Sequence, residues 1–379
     1  LTTQELLALP LFILMGEVLF RTRLSRSLFN GLAPWAGLLP GRLLHVNVIG
    51  CSIFAAISGS SAATTQVVGR VALTELLKRG YDKRIAIGSL AGAGTLGFLI
   101  PPSSIMIVYG VLAQVSILKL FAAGIIPGLL LAACFMIWVM IHSTIRKDFI
   151  PEAERALGEV TWRERFLALK DLAPACLLIL CVLGTMYGGL ATPSEAAAIG
   201  VVGALAISAM PGELTRDALH KIAIGAVLTC AMIALIVLGA SILGSAAAFL
   251  GIPRAIANFV QSLNLSPFAL ILVLVVFYLV LGCFLEGFSM IVMTLPVALP
   301  IVTAAGFDPI WFGIFTVLVV EMAQIHPPVG FNLFVIQGLT DESLGFITLA
   351  TFPYLVIMIL FTLAMALFPD VVLWLPRNL

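Results

Sequence analysis

The stretch LLHVNVIGCSIFAAISGSSAATTQVVGR, residues 43–70, decides the fold. It is apolar enough to leave water, yet Ser58-Gly59-Ser60-Ser61 interrupts it and Arg42 and Arg70 bracket it. About 15 residues lie between Arg42 and Ser58, roughly 22 Å of helix, and about eight between Ser61 and Arg70, roughly 13 Å, at 1.5 Å per residue. Neither arm crosses a hydrocarbon core about 30 Å thick. The spacing therefore predicts a helical hairpin over 43–69 that dips into a membrane and turns at Ser58–Ser61. Non-helical backbone at that depth survives only where protein or a watery cavity covers it.

The rest of the chain agrees with a membrane setting. Of 379 residues, 61% are hydrophobic and 10% charged, far from the composition of soluble domains. Unbroken apolar runs such as Leu172 to Leu190 are long enough to span as helices, whereas a barrel would show short alternating strands. The class is all-α and polytopic. A net charge of +1 with no basic, aromatic-interleaved cluster argues against nucleic acid. The six cysteines lie in apolar stretches without a Cys-x-x-Cys pair and read as packing thiols. The four histidines are scattered singly, so no transition-metal site is expected. The chain opens Leu-Thr-Thr, without a signal-peptide pattern, which raises the expectation of a segment before Leu1.

Charge sets the orientation. Arg21 to Arg42, Arg70 to Arg84, Arg146 to Lys170, and Arg216 with Lys221 form basic groups separated by even numbers of crossings, and only Lys119, Arg254 and Arg377 fall on the other side. The positive-inside rule then puts those groups in the cytoplasm. Residues 143–171, the one long polar insertion, read as a cytoplasmic connector carrying a surface helix.

A second hairpin follows from internal similarity. Ser60 precedes Pro101 by 41 residues and Gly287 precedes Pro327 by 40, so an offset of 226 lays Pro101-Pro102 on Pro327-Pro328. The charge pattern starts the first copy inside and the second outside. The expected organisation is a first inverted repeat over 1–142, with the hairpin 43–69 and a broken helix 85–113. After the connector comes a second repeat over 172–379, with a hairpin 267–303 turning near Glu286-Gly287 and a broken helix 310–338. Inverted repeats with interrupted helices point to a secondary transporter whose site lies near mid-membrane.

Broken helices carry chemistry because they end in bare backbone poles: carbonyls that attract cations, amides that attract anions. Gly59 permits the turn. The hydroxyls of Ser58, Ser60 and Ser61 can complete an oxygen shell for a hard cation such as Na⁺. Gly94-Thr95-Leu96-Gly97 and Pro101-Pro102-Ser103-Ser104 weaken helicity opposite that tip. In the second half, Glu286, Gly287 and Ser289 stand opposite Gln324, His326, Pro327, Pro328, Gly330 and Asn332. Glu17, Glu286 and Glu321 are acids in apolar surroundings and so are functional candidates. The bland alternatives are small-residue helix packing for Gly59 with Ala63, kinks for the proline pairs, and a plain helix start for Thr192-Pro193-Ser194-Glu195.

These stretches, together with LPLFILMGEVLF, GTLGFLIPPSSIMIVYG, TPSEAAAIGVVGAL and HPPVGFNLFVIQGL, resemble the large membrane subunit of the tripartite ATP-independent periplasmic (TRAP) transporters, the DctM-like family, from about Leu9 to the end. The resemblance implies an elevator-type carrier of the ion-transporter superfamily in the bacterial inner membrane, moving a small organic acid such as a dicarboxylate or sialic acid with two or more Na⁺ and no organic cofactor. It implies a small membrane subunit and a soluble periplasmic binding protein as partners. It places a first Na⁺ site on Ser58, Gly59, Ser60, Ser61, Gly94, Thr95, Gly97 and Ser103, and a second on Gly287, Gln324, His326, Pro327 and Gly330. Solute contacts would fall on Ser60, Ser61, Thr64, Pro101, Pro102, Glu286 and Asn332. Two departures bear on the second site: Glu286 stands where many members have Asp, and His326 where Thr usually leads the proline pair. Members also carry about one further helix upstream of Leu1.

Competing readings are a stand-alone Na⁺/carboxylate symporter that needs no binding protein, an ion channel with the tips as filter, and an intramembrane enzyme. An inverted rather than axial repeat disfavours the channel, and no His-Glu-x-x-His, Ser-Lys or paired-Asp arrangement supports an enzyme.

Overall fold

The computed structural model describes residues 4–22, 24–146, 150–152, 154, 160–209, 212, 214–263 and 265–379. Among them the chain is α-helical, with six helices long and apolar enough to cross a membrane and five shorter apolar ones. It is a polytopic all-α membrane protein.

The outer group comprises α1 (Ala8–Phe20), α2 (Leu24–Ala36), α10 (Trp162–Tyr187), α11 (Pro193–Ala209) and α12 (Arg216–Phe249). Here α1 packs on α11 and α12, and α2 on α10. The most apolar window of α12 is only 22% buried, against 78% for the segment Lys83–Ala113. So α12 turns Leu228, Leu235 and Ile242 outward, where hydrocarbon covers them as well as protein would, while the broken segment occupies the centre. The amphipathic α13 (Ile252–Ser262) follows α12 and packs on it.

The first hairpin runs α3 (Leu44–Ser58), tip, α4 (Ser61–Val68), then a π-helical segment Gly69–Leu73 and α5 (Thr74–Lys78). This corrects the expected end at residue 69. Arg70 does not stop the arm, because it is exposed and its guanidinium lies 5.9 Å from the centre of the Phe20 ring, so its charge leaves the apolar layer while the backbone continues. The first broken helix is α6 (Lys83–Gly94), α7 (Leu96–Leu99), a break at Ile100–Ser103, and α8 (Ser104–Ala113). Then α9 (Ile117–Ile145) leads to the connector.

The connector is described only in part. Its first residues close α9, residues 152 and 154 are helical, and Trp162–Asp171 forms the opening turns of α10, started by a Thr161–Glu164 capping box. Residues 147–149, 153 and 155–159 lie outside the described ones. Glu154 is buried and pairs with Arg79 at 3.0 Å, tying the connector to the end of the first hairpin.

The second hairpin is α14 (Pro267–Gly282) and α15 (Gly287–Ala304). The second broken helix is α16 (Pro309–Ile325), a break at His326–Gly330, and α17 (Phe331–Gln337). Then α18 (Leu344–Leu367) and α19 (Asp370–Arg377) end the chain. The helices themselves thus run over 83–113, 267–304 and 309–337, each span interrupted by a turn or break. Each hairpin touches both broken helices: α4 packs on α6, α7 and α17, and α15 on α8 and α16.

Candidate functional site

At the first tip, Gly59 adopts φ +57°, a conformation that favours glycine, and a Cβ there would meet the Pro102 carbonyl oxygen at 2.7 Å. Its own carbonyl accepts the Ser104 N–H (3.2 Å) and hydroxyl (2.7 Å). The carbonyl pole of α3 is thereby docked on the amide pole of α8, two helix ends satisfying each other. Gly97 allows α7 to lie against the tip, since a Cβ there would stand 2.5 Å from the Ser60 carbonyl oxygen.

The hydroxyls sort by partner. Ser60 caps α4, accepting from Ala63 N–H at 3.4 Å. Thr64 donates to the Ser60 carbonyl at 2.7 Å and lies 2.9 Å from the Ser58 hydroxyl. Ser103 caps α8 through Met106 N–H. The Thr95 hydroxyl instead turns back to the Gly92 carbonyl (2.6 Å) and Met358 sulfur (3.6 Å), so only its backbone can serve the tip. Pro101 and Pro102 are buried beside it and joined by a cis peptide bond; Pro327 and Pro328 are also joined by a cis bond, but Pro327 is half-buried and Pro328 exposed.

Ser61 is the hub. Its Oγ lies 3.1 Å from the Gly94 carbonyl oxygen, 2.8 Å from Glu321 Oε2, and accepts from Asn332 Nδ2 at 2.9 Å. Sequence spacing set Asn332 opposite the second tip and marked Glu321 only as an acid in apolar surroundings; the fold brings both to the first tip, across the two halves of the chain. Ser61, Asn332 and Glu321 are all fully buried, and Asn332 Oδ1 has no hydrogen-bond partner.

The second tip differs. Glu286 is exposed and caps α15, accepting Phe288 N–H (3.0 Å), Ser289 N–H (2.7 Å) and the Ser289 hydroxyl (2.9 Å). Gly287 sits beside Val320 and the Gln324 amide. The His326 carbonyl accepts Gly330 N–H at 2.9 Å, and the Cys283 thiol lies 3.6 Å from both His326 Nδ1 and the Pro327 carbonyl oxygen. The packing-thiol reading of the cysteines thus holds for buried Cys51 but not for Cys283, and Cys181 is exposed. Glu17 is accounted for by its ion pair with Arg21 at 3.2 Å. Thr192–Glu195 forms a capping box, Glu195 Oε2 accepting Thr192 N–H at 2.7 Å.

Residues 1–371 match the family of the tripartite ATP-independent periplasmic transporter, DctM component. The chain belongs to that family. It is 34% identical over 373 residues to the C4-dicarboxylate TRAP transporter large permease protein DctM of Pseudomonas aeruginosa, covering 98% of this chain and 86% of that protein. It is 30% identical to the sialic acid TRAP transporter large permease protein SiaM of Vibrio cholerae, again over 98% and 86%. Against the isethionate TRAP transporter permease protein DctMQ of Oleidesulfovibrio alaskensis it is 33% identical, over 93% of this chain and 55% of that longer protein. The fold is similar to that of the YdaH transporter of Alcanivorax borkumensis, with TM-score 0.65 at 15% identity, covering 96% of this chain and 84% of that one. This chain is a TRAP large permease.

Proposed function

We propose that this permease carries a small organic acid across the bacterial inner membrane, coupled to Na⁺, by an elevator motion of the two hairpins and two broken helices against the outer helices. The observation that carries the reading is the convergence of the Ser58–Ser61 tip, Gly94 and Asn332 on one buried cluster of oxygens. Hard oxygen donors of this kind fit an alkali cation, and the partnerless Asn332 Oδ1 is an acceptor with capacity to spare. Na⁺ bound there would supply positive charge beside the amide pole of α4, which suits a carboxylate.

The first set, Ser58, Gly59, Ser60, Ser61, Gly94, Gly97 and Ser103, is better furnished than the second. Around Gly287, Gln324, His326, Pro327 and Gly330, both His326 and Pro327 are only half-buried, whereas Ser61 and Ser103 of the first set are fully buried. The solute class follows from relatives named for C4-dicarboxylate, sialic acid and isethionate. By the same kinship the partners are a small membrane subunit and a periplasmic binding protein.

The test is uptake into proteoliposomes with each partner added or withheld. Transport requiring both partners and an inward Na⁺ gradient is expected. Transport without the binding protein would replace the reading with a stand-alone symporter, and single-channel currents would replace it with a channel.

A further inference from the structure

Ser61 Oγ has one proton and two lone pairs, but three neighbours compete for them. Asn332 Nδ2 fills one lone pair at 2.9 Å, and the proton must choose between the Gly94 carbonyl at 3.1 Å and Glu321 Oε2 at 2.8 Å. The shorter contact, to a carboxyl oxygen, is the stronger one. Glu321 is itself held in place, because its other oxygen accepts the Phe98 N–H at 2.7 Å. That amide belongs to the four-residue α7, Leu96–Leu99, and so has no donor duty inside its own helix. Glu321 is fully buried on α16, and among the described residues no Lys, Arg or His forms an ion pair with it.

We infer that Glu321 is a positioning residue for cation binding at the first hairpin tip: by drawing the Ser61 proton to itself it leaves the second Ser61 lone pair and the Gly94 carbonyl both open. The same carboxyl joins the second half of the chain to the tip through Ser61 and to the first broken helix through Phe98. Cation occupancy at the tip is thereby linked mechanically to α16. This inference rests on the Na⁺-coupled reading above.

Glu321→Gln has nearly the same shape and keeps an oxygen for Phe98, but presents an N–H to Ser61. The Ser61 proton then turns to the Gly94 carbonyl, and both oxygens are occupied. In proteoliposomes holding the complete transporter, the Na⁺ concentration for half-maximal uptake should rise about fivefold, the scale of one hydrogen bond, while the maximal rate falls by less. Glu321→Asp, which keeps the acid one methylene further back, should give a smaller shift and stands in if the Gln variant does not fold. In a Ser61→Ala background, adding Glu321→Gln should change the Na⁺ requirement no further, because the effect acts through Ser61. An unchanged Na⁺ requirement in the Gln and Asp variants, or an effect that adds in full to Ser61→Ala, overturns the inference alone. A wild-type transporter indifferent to Na⁺ overturns it together with the coupling reading.

Discussion

The Gly59 carbonyl oxygen receives two hydrogen bonds from Ser104, one from its backbone N–H at 3.2 Å and one from its hydroxyl at 2.7 Å. One residue thus fastens the hairpin tip to the start of α8, end to end. The tip position itself tolerates no side chain: φ is +57° and the Pro102 carbonyl oxygen would lie 2.7 Å from a Cβ. Gly59→Ala should cost roughly 1–3 kcal/mol of local strain and abolish uptake while the helical content stays. Ser104→Ala keeps the backbone bond and should cost only about 1 kcal/mol. Thermal midpoints in detergent and uptake rates of the two variants check this order; equal effects would refute it.

Ser60 holds a different post. Its hydroxyl caps α4 over a long 3.4 Å contact to Ala63 N–H, so its loss should weaken the fold by about 0.5–1 kcal/mol. Its carbonyl is already taken by Thr64. Ser60→Ala should therefore weaken the Na⁺ dependence of uptake at nearly constant melting temperature. Na⁺ titration of uptake, paired with thermal unfolding, measures both; unchanged Na⁺ activation would count against a role for this hydroxyl.

Much of this was legible before the fold. Period and run length mark the spans, and the tips and breaks announce themselves because glycine, serine and proline pairs are costly inside apolar helices. Gly59 and Pro101-Pro102 therefore sit where sequence put them. Three things were not legible. Arg70 looked like a boundary, yet a long side chain can reach out over Phe20 while its helix continues. Asn332 was set opposite the second tip by spacing along the chain and Glu321 was marked only as an acid in an apolar run, but their partner Ser61 lies more than half the sequence away and belongs to the other tip. Cys283 carried no signal: a thiol in an apolar run looks the same whether it packs or faces His326. Periodicity reports which face is buried, not what is buried against it.

Glu286 occupies the amide pole of α15 with its own carboxylate, accepting from Phe288 N–H, Ser289 N–H and the Ser289 hydroxyl. An acidic cap there answers the positive helix end. Glu286→Ala should free two amides, cost about 1 kcal/mol and speed hydrogen exchange at Gly287–Met290. Glu286→Asp, a shorter acid but a favoured cap, should largely restore protection. Exchange mass spectrometry in nanodiscs decides, and indistinguishable exchange in wild type and the alanine variant would remove the capping role.

The outer helices are latched at one end by a reciprocal pair. Trp35 Nε1 donates to the Arg165 carbonyl at 3.1 Å, Arg165 Nε donates to the Pro34 carbonyl at 3.3 Å, and the Arg165 guanidinium lies 4.9 Å from the centre of the Trp162 ring. Trp35 also meets the rings of Trp162 and Phe166 edge-on. Because this latch joins α2 to α10 and touches neither tip, breaking it should lower stability without altering the Na⁺ requirement. Trp35→Ala should cost roughly 2–4 kcal/mol through lost aromatic area and one hydrogen bond. Arg165→Lys keeps the charge but loses the planar group that stacks on Trp162, and should cost about 1 kcal/mol. Thermal unfolding of the purified permease gives both values, and Na⁺-titrated uptake on the same preparations tests the separation. A shift in the Na⁺ requirement of Trp35→Ala would mean that the outer helices and the tips share one energetic unit.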